Sequence, residues 1–217
     1  MTDAPRDLLI GTTNLAKGRE LAELLQPYGF RIRTLQDIAS PIDVIEDGDT
    51  FAANAQKKAR ELAQHLGCWV LADDSGLEVN ALGGAPGIFS ARYAATKTNT
   101  SASDEQNNEK LLSELANAPC SKTSGERRGA NYYCHVAVAD PSGEIRAESS
   151  GICRGRIRTE AAGTNGFGYD PLFELREYHQ TFGQLGPKIK AAISHRARAM
   201  RAIVPQLAAL AASGDWR

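Results

Sequence analysis

Long apolar runs are missing from these 217 residues. None approaches the ~18 residues that a membrane-spanning helix requires, so a membrane-embedded protein is not expected. The opening Met1-Thr2-Asp3-Ala4-Pro5-Arg6 lacks the apolar core of a signal peptide, which predicts a cytoplasmic protein. Cysteine is sparse. Cys68, Cys120, Cys134 and Cys153 are scattered without a CxxC pair, a pattern that predicts buried free thiols in a reducing cytosol rather than disulfides or zinc ligands. A basic excess is absent too: 25 Lys and Arg stand against 26 Asp and Glu, for a net charge of −1. That argues against nucleic acid as a partner, while leaving room for a small cationic pocket that takes a phosphorylated molecule. Neither internal repeats nor a linker interrupt the chain. His65, His135 and His179 have no metal-ligand spacing.

What remains is an ordinary globular composition, 42% apolar and 24% charged. One domain over residues 1–217 is expected, with residues 1–6 and about 213–217 poorly ordered. Helix and strand signals alternate, which predicts an α/β fold. Leu8 to Thr12 reads as a first strand and Phe30 to Thr34 as a second. Between them lies a helix over Ala16 to Gln26, closed by Gly29. A second helix starts at Phe51, capped by Asp49 or Thr50, and stops at Gly67. Cys68 to Ala72 reads as a short buried strand. Ser103-Asp104-Glu105-Gln106 resembles a capping box opening a helix through Leu115. Ser121 to Gly129 is a polar, mobile loop. Tyr132 to Ala139 and Ile145 to Arg158 are long strands joined across Asp140-Pro141-Ser142-Gly143. Lys188 to Ala212 reads as one long closing helix.

The chemistry concentrates in five places. In Ala72-Asp73-Asp74-Ser75-Gly76, two acids follow a buried strand, where a cation or hydrogen bonds must compensate them. Successive strand residues point to opposite faces, so one acid is expected to face a site while the other braces a turn closed by Ser75-Gly76. Thr12, Thr13, Asn14, Leu15, Ala16 and Lys17 join a strand to a helix, where backbone N–H groups and the helix dipole favour an anion. The GK[ST] ending of a P-loop is missing, and a plain capped turn is the simpler reading. Glu46-Asp47-Gly48-Asp49 could supply, with Asp74, the one or two carboxylates typical of a Mg²⁺ site completed by substrate phosphates; helix-dipole complementation is the alternative. Lys58 lies one turn beyond Asn54 on the following helix. Gly166-Phe167-Gly168-Tyr169-Asp170-Pro171 sets aromatics among glycines, fit to stack on a base or, alternatively, to tuck Phe167 into the core. Lys190, Ser194, His195 and Arg196 offer donors suited to carbonyl or phosphate oxygens, or form a solvated basic face.

Taken together, Thr12-x-Asn14-x-x-Lys17-x-x-Glu20, Glu46-x-Gly48-x-Thr50-Phe51-x-x-Asn54-Ala55-x-x-Lys58-Ala59, Ala72-Asp73-Asp74-Ser75-Gly76-Leu77, Gly83-Gly84-Ala85-Pro86-Gly87, Gly166-Phe167-Gly168-Tyr169-Asp170-Pro171 and Ser194-His195-Arg196 resemble the inosine triphosphate pyrophosphatase family, from about Leu8 to Ala211. Members of that family remove the non-standard purine nucleotides ITP, dITP and XTP. The resemblance implies an elongated two-lobed α/β domain with a central mixed sheet flanked by helices, a nucleotide cleft between the lobes, and a homodimer. It assigns Asp74 as catalytic carboxylate, and Glu46 with Asp74 as Mg²⁺ ligands. Thr12, Thr13, Asn14, Leu15, Ala16, Lys17, Lys58 and Ser75 fall around the triphosphate. Phe167, Gly168, Tyr169, Asp170, Lys190, His195 and Arg196 fall around the nucleoside. Ala161 and Gln184 depart from the family's usual proline and acid. The implied reaction is water attack on the α-phosphorus of a purine nucleoside triphosphate. A pyrophosphatase acting on other modified nucleotides and a non-catalytic nucleotide sensor are the alternatives.

Overall fold

The computed structural model describes residues 6–40, 42–96, 101–118 and 127–216. Its strands are β1 (Arg6–Ile10), β2 (Phe30–Thr34), β3 (Val70–Val79), β4 (Gly129–Ala139), β5 (Ile145–Ile157), β6 (Phe173–Leu175) and β7 (Gln180–Thr181). Its α-helices are α1 (Leu15–Leu25), α2 (Phe51–Leu66), α3 (Asp104–Asn117), α4 (Pro187–Ile193) and α5 (His195–Ser213). The strands form one open sheet of order β2-β1-β3-β4-β5-β6-β7. The sheet is mixed: β1 runs parallel to β2 and β3, while β6 is antiparallel to β5 and β7. The expected α/β class with a helix-flanked mixed sheet is therefore borne out.

The chain divides into two compact units, and the divisions fall within β3, β4 and β5 and between His195 and Arg196. The first unit comprises residues 1–74, 134–151 and 196–217. Strand periodicity organises its core. Leu8, Ile10, Leu71, Cys134, Val136 and Val138 pack with Leu21 and Leu25 of α1 and with Ala199, Met200, Ile203 and Leu207 of α5. The alternate residues Leu9, Val70, Ala72, Ala137 and Ala139 pack with Ala55, Ala59, Leu62 and Ala63 of α2. A period of two on each strand thus sends α1 and α5 to one face and α2 to the other. Trp216 stacks on Trp69 with ring centroids 4.2 Å apart.

The second unit, residues 75–133 and 152–195, has its own core. Leu77 and Val79 of β3 meet Leu111 and Leu115 of α3, together with Tyr132, Phe173 and Phe182.

Local signals account for most element ends. Thr50 Oγ1 accepts the Ala53 N–H, so of the two candidate caps it is Thr50 that opens α2. Gly67 closes it with φ 61°, a left-handed conformation that glycine adopts without strain. The capping box at Ser103 and Gln106 is formed. Two expectations are corrected. β3 does not end at Ala72 in a Ser75-Gly76 turn; it runs on to Val79, because Lys17 and Arg196 meet Asp73 and Asn54 donates to Asp74. The closing helix is two helices. Ser194 is extended, with ψ 162°, and its N–H ends α4 on the Lys190 carbonyl at 3.0 Å. Cys68, Cys134 and Cys153 are free, and Cys120 lies outside the described residues, as does most of the 121–129 loop.

Candidate active site

In the first unit, adjacent acids on β3 point to opposite faces and meet different partners. Asp73 is fully buried on the side of α1 and α5. Its Oδ2 lies 3.6 Å from Lys17 Nζ, 3.5 Å from Arg196 Nε and 4.0 Å from the Cys134 thiol. Arg196, 1% exposed, also donates from Nη1 to Glu20. Burial and the neighbouring Asp73 carboxylate push the Cys134 thiol up to about 12, so it stays protonated and points its S–H at that acid.

Asp74 looks toward α2. Its Oδ2 accepts from Asn54 Nδ2 at 3.0 Å, while Asn54 Oδ1 accepts the Gly48 N–H at 2.8 Å. A single buried amide therefore ties the 46–50 loop to the acid. Gly48 is needed there because a Cβ would lie 2.7 Å from Asn54 Oδ1. Lys58, one turn along α2 as expected, donates to Glu46 Oε1 at 2.9 Å and to the Asp73 carbonyl at 2.5 Å. Burial pushes the Asp74 carboxyl above the ordinary range; Lys58, Lys17 and the Asn54 bond pull it back without cancelling that, and Glu46 adds to the rise. Burial alone would depress the Lys58 ammonium, but Asp73, Glu46 and Asp74 outweigh it and hold its pKa above the usual lysine value.

Asn14 caps α1: its Oδ1 accepts from Ala16 N at 3.0 Å and Lys17 N at 3.1 Å, and Thr12 Oγ1 accepts the Asn14 N–H. Thr13, Asn14 and Leu15 remain exposed. Thr12 and Thr13 share with Glu46 and Lys58 the lining of a cavity of about 40 Å³, room for a water or a monoatomic ion. Four of the singled-out positions, distant in sequence, are thereby gathered. Among the described residues no group of three or more His, Cys, Asp or Glu side chains converges as a metal site. Glu46 on the loop and Asp74 on the strand are the oxygen donors that would suit a Mg²⁺ ion drawing its other oxygens from phosphate and water.

The second unit holds another set. Asp170 Oδ2 accepts from Lys190 Nζ at 2.7 Å and from Phe167 N at 2.9 Å. Lys190 Nζ sits 4.5 Å from the Phe167 ring centroid, a cation–π contact. Phe167 is half-buried, so it is not tucked wholly into the core. Tyr169 is: it belongs to the unit's core, and its hydroxyl donates to the Ser90 carbonyl at 2.9 Å. Gly168 N donates to Asp104 Oδ2 and its carbonyl accepts from Asn108, so α3 fixes the loop. His195 stacks on Tyr132 at 4.6 Å and 10°. Ser75 is half-buried on β3. Arg196, expected with His195 around the nucleoside, pairs with Asp73 and Glu20 in the first unit. Sequence reasoning did not single out Tyr132, Asp104 or Asn108, and only spatial proximity marks them.

An open mixed sheet, with an acid pair on a central strand and lysines from two helices drawn to it, defines an α/β protein. The chain belongs to the Ham1 family, whose profile matches residues 8–206. It is 53% identical over 209 residues to a dITP/XTP pyrophosphatase of Rhodopirellula baltica, covering 96% of each chain. A dITP/XTP pyrophosphatase of Desulforamulus reducens is 45% identical over 194 residues, 89% of this chain and 92% of that one. Among solved structures, a HAM1 protein from Coxiella burnetii superposes with a TM-score of 0.81 at 35% identity, covering 94% of this chain and 98% of that one. The family expected from the motifs is thus borne out.

Proposed function

We propose that the protein hydrolyses non-standard purine nucleoside triphosphates, ITP, dITP and XTP, to the monophosphate and pyrophosphate, and so cleanses the nucleotide pool. The observation that carries the reading is the convergence of Lys58, Glu46 and the Asp73 carbonyl, with Asp74 tied to the same helix through Asn54. Asp74 orients the attacking water and takes its proton. Lys17 and Lys58 balance charge on the triphosphate, and the Thr12 to Ala16 turn, exposed at Thr13, Asn14 and Leu15, offers it N–H and hydroxyl donors. Arg196 and Asp73 hold Lys17 in register. Ser75 donates to the phosphates. Glu46 and Asp74 would hold Mg²⁺, which neutralises the polyphosphate when bound.

In the second unit, Phe167 offers a ring face to the purine, while Lys190 and His195 present donors to a 6-oxo group. Adenine carries an amine at that position, and a site built of donors leaves both sides unsatisfied. Gly168, Tyr169 and Asp170 shape and anchor this pocket. We further propose a cytoplasmic homodimer; among the described residues no helix is long and apolar enough to cross a membrane.

The test is pyrophosphate release from ITP, dITP, XTP, GTP, ATP and pyrimidine triphosphates, with Mg²⁺ and with excess EDTA. Strong ITP, dITP and XTP turnover is expected, with weaker GTP turnover, negligible turnover of ATP and pyrimidines, and none in EDTA. Tight Mg²⁺-dependent ITP binding without release would make the protein a sensor instead.

A further inference from the structure

The second unit contains a cavity of about 590 Å³ that shares no residue with the purine set. Arg127, Arg128, Arg156 and Arg158 line it, together with Glu174 and His179. The arginines come from the entry to β4 and the end of β5, and the sheet fixes both: Ile157 N donates to the Arg128 carbonyl and Arg158 N to the Leu172 carbonyl. Arg128 donates from Nε to the Ile157 carbonyl at 2.5 Å and from Nη2 to the Arg158 carbonyl at 2.6 Å. Arg127 Nη2 caps the end of α3 through the Leu115 and Ala118 carbonyls. Carbonyls orient a guanidinium but do not neutralise it. Among the described residues the lining holds one carboxylate, Glu174, 2.6 Å from Arg156 Nη2 and 3.7 Å from Arg158 Nη1. Four guanidinium charges therefore face one acid. Burial, and after it the neighbouring Arg127 charge, depress the Arg128 guanidinium.

Pre-oriented guanidinium forks with a surplus of positive charge are the chemistry that recognises phosphate, through paired N–H to oxygen bonds. The cavity has the size of an ordinary small-molecule site. We propose that it is a second anion site, which takes a phosphoanhydride group, either as free inorganic pyrophosphate or as the polyphosphate chain of a nucleotide. The inference stands on these residues alone and does not depend on the hydrolytic reading.

The experiment titrates the full chain calorimetrically with sodium pyrophosphate in EDTA at low salt, then with tripolyphosphate and ATP. Arg158→Gln and the double variant Arg127→Gln/Arg158→Gln are compared with the parent. Pyrophosphate binding should weaken about tenfold in the double variant and about threefold in the single one, as expected for charge-assisted bonds, with ITP turnover held in both and melting temperature held in Arg158→Gln; the double variant also loses the Arg127 cap on α3 and should melt lower. ATP binding more tightly than tripolyphosphate identifies a nucleotide as the ligand, and equal binding identifies the inorganic anion. Unchanged affinity in both variants overturns the proposal. So does a loss of binding matched by an equal loss of turnover, or heat from a single-stranded oligonucleotide with none from pyrophosphate. Should the double variant not fold, Arg158→Gln alone decides, since its charge meets the protein only through the 3.7 Å contact to Glu174.

Discussion

Asp170→Asn isolates the buried charge that organises the second unit's loop. The carboxylate is 2% exposed and Lys190 is 7% exposed, so water screens neither well. One oxygen, Oδ2, accepts from both Lys190 Nζ at 2.7 Å and Phe167 N at 2.9 Å. Asparagine keeps the shape and an acceptor for Phe167, but it leaves the ammonium without its counter-charge. Removing one partner of a buried pair costs about 3–5 kcal/mol, and the retained amide acceptor puts this case near 3. Lys190→Met should cost a similar amount by stranding the acid. In the double variant the two costs should fall short of additivity by about 2 kcal/mol, because neither charge is then left alone. Urea unfolding measures all three, and at ~1–3 kcal/mol per molar a 3 kcal/mol loss moves the midpoint by about 1 M or more. In the same variants the KM for ITP should rise while ATP stays unused. Single costs below about 0.5 kcal/mol, or strict additivity, would refute the argument that this pair is desolvated and mutually dependent.

Further outcomes follow from the first unit. Asp74→Asn should lower kcat for ITP by roughly 10²–10⁴ with the melting temperature nearly intact; a near-normal kcat would pass the base's role to another residue. Arg196→Ala should lower thermal stability and reduce kcat/KM by one common factor on ITP, XTP and GTP, because its guanidinium serves Asp73 and Glu20; a loss confined to ITP and XTP would return it to the base. At Asp140, burial raises the carboxyl, but bonds from Ser142, Arg146 and the 142 and 144 N–H groups outweigh it and leave the pKa lowered. A depressed folded pKa contributes stability that is present above the unfolded value near ~3.9 and is lost as pH falls through the folded one. The stability gap between the parent and Asp140→Asn should therefore be full at pH 7 and close below about pH 4, and a gap constant over that range would rule out the carboxylate as its source.

The parts legible in the sequence are those that local chemistry dictates. β2 falls on Phe30–Thr34 as read. α2 stops at Gly67 as read, and of the two candidate caps, Asp49 and Thr50, the hydroxyl is the one used. The turn over Asp140–Gly143 joins β4 and β5, and the Gly143 N–H donates to the Asp140 carbonyl. The reading stopped where distant partners decide. Two consecutive acids looked like a strand end because a strand interior cannot hold them alone. Lys17, 56 residues earlier, and Arg196, 123 later, make the interior possible. The break at Ser194 was invisible because the apolar spacing continues through it. Asn54 carried its motif position but not its task, since its bond to Asp74 exists only once α2 lies along β3.

That pairing of acids explains how the first unit can give two adjacent carboxylates different surroundings. Each buried acid costs several kcal/mol unless opposite charge or donors meet it. The β-strand period gives Asp73 and Asp74 different surroundings although they are covalent neighbours. Asp73 faces the side where α1 and α5 supply Lys17 and Arg196, so its charge is met within the fold and it in turn fixes those cations. Asp74 faces α2, where Asn54 supplies an amide and Lys58 lies nearer to Glu46 and the Asp73 carbonyl. Burial outweighs that help and leaves the Asp74 carboxyl raised. An acid in that condition favours whatever brings it a proton or a cation. Exchanging the two surroundings would require exchanging the helices on the two faces of the sheet, so the position of α2 is what sets the Asp74 environment apart from that of Asp73.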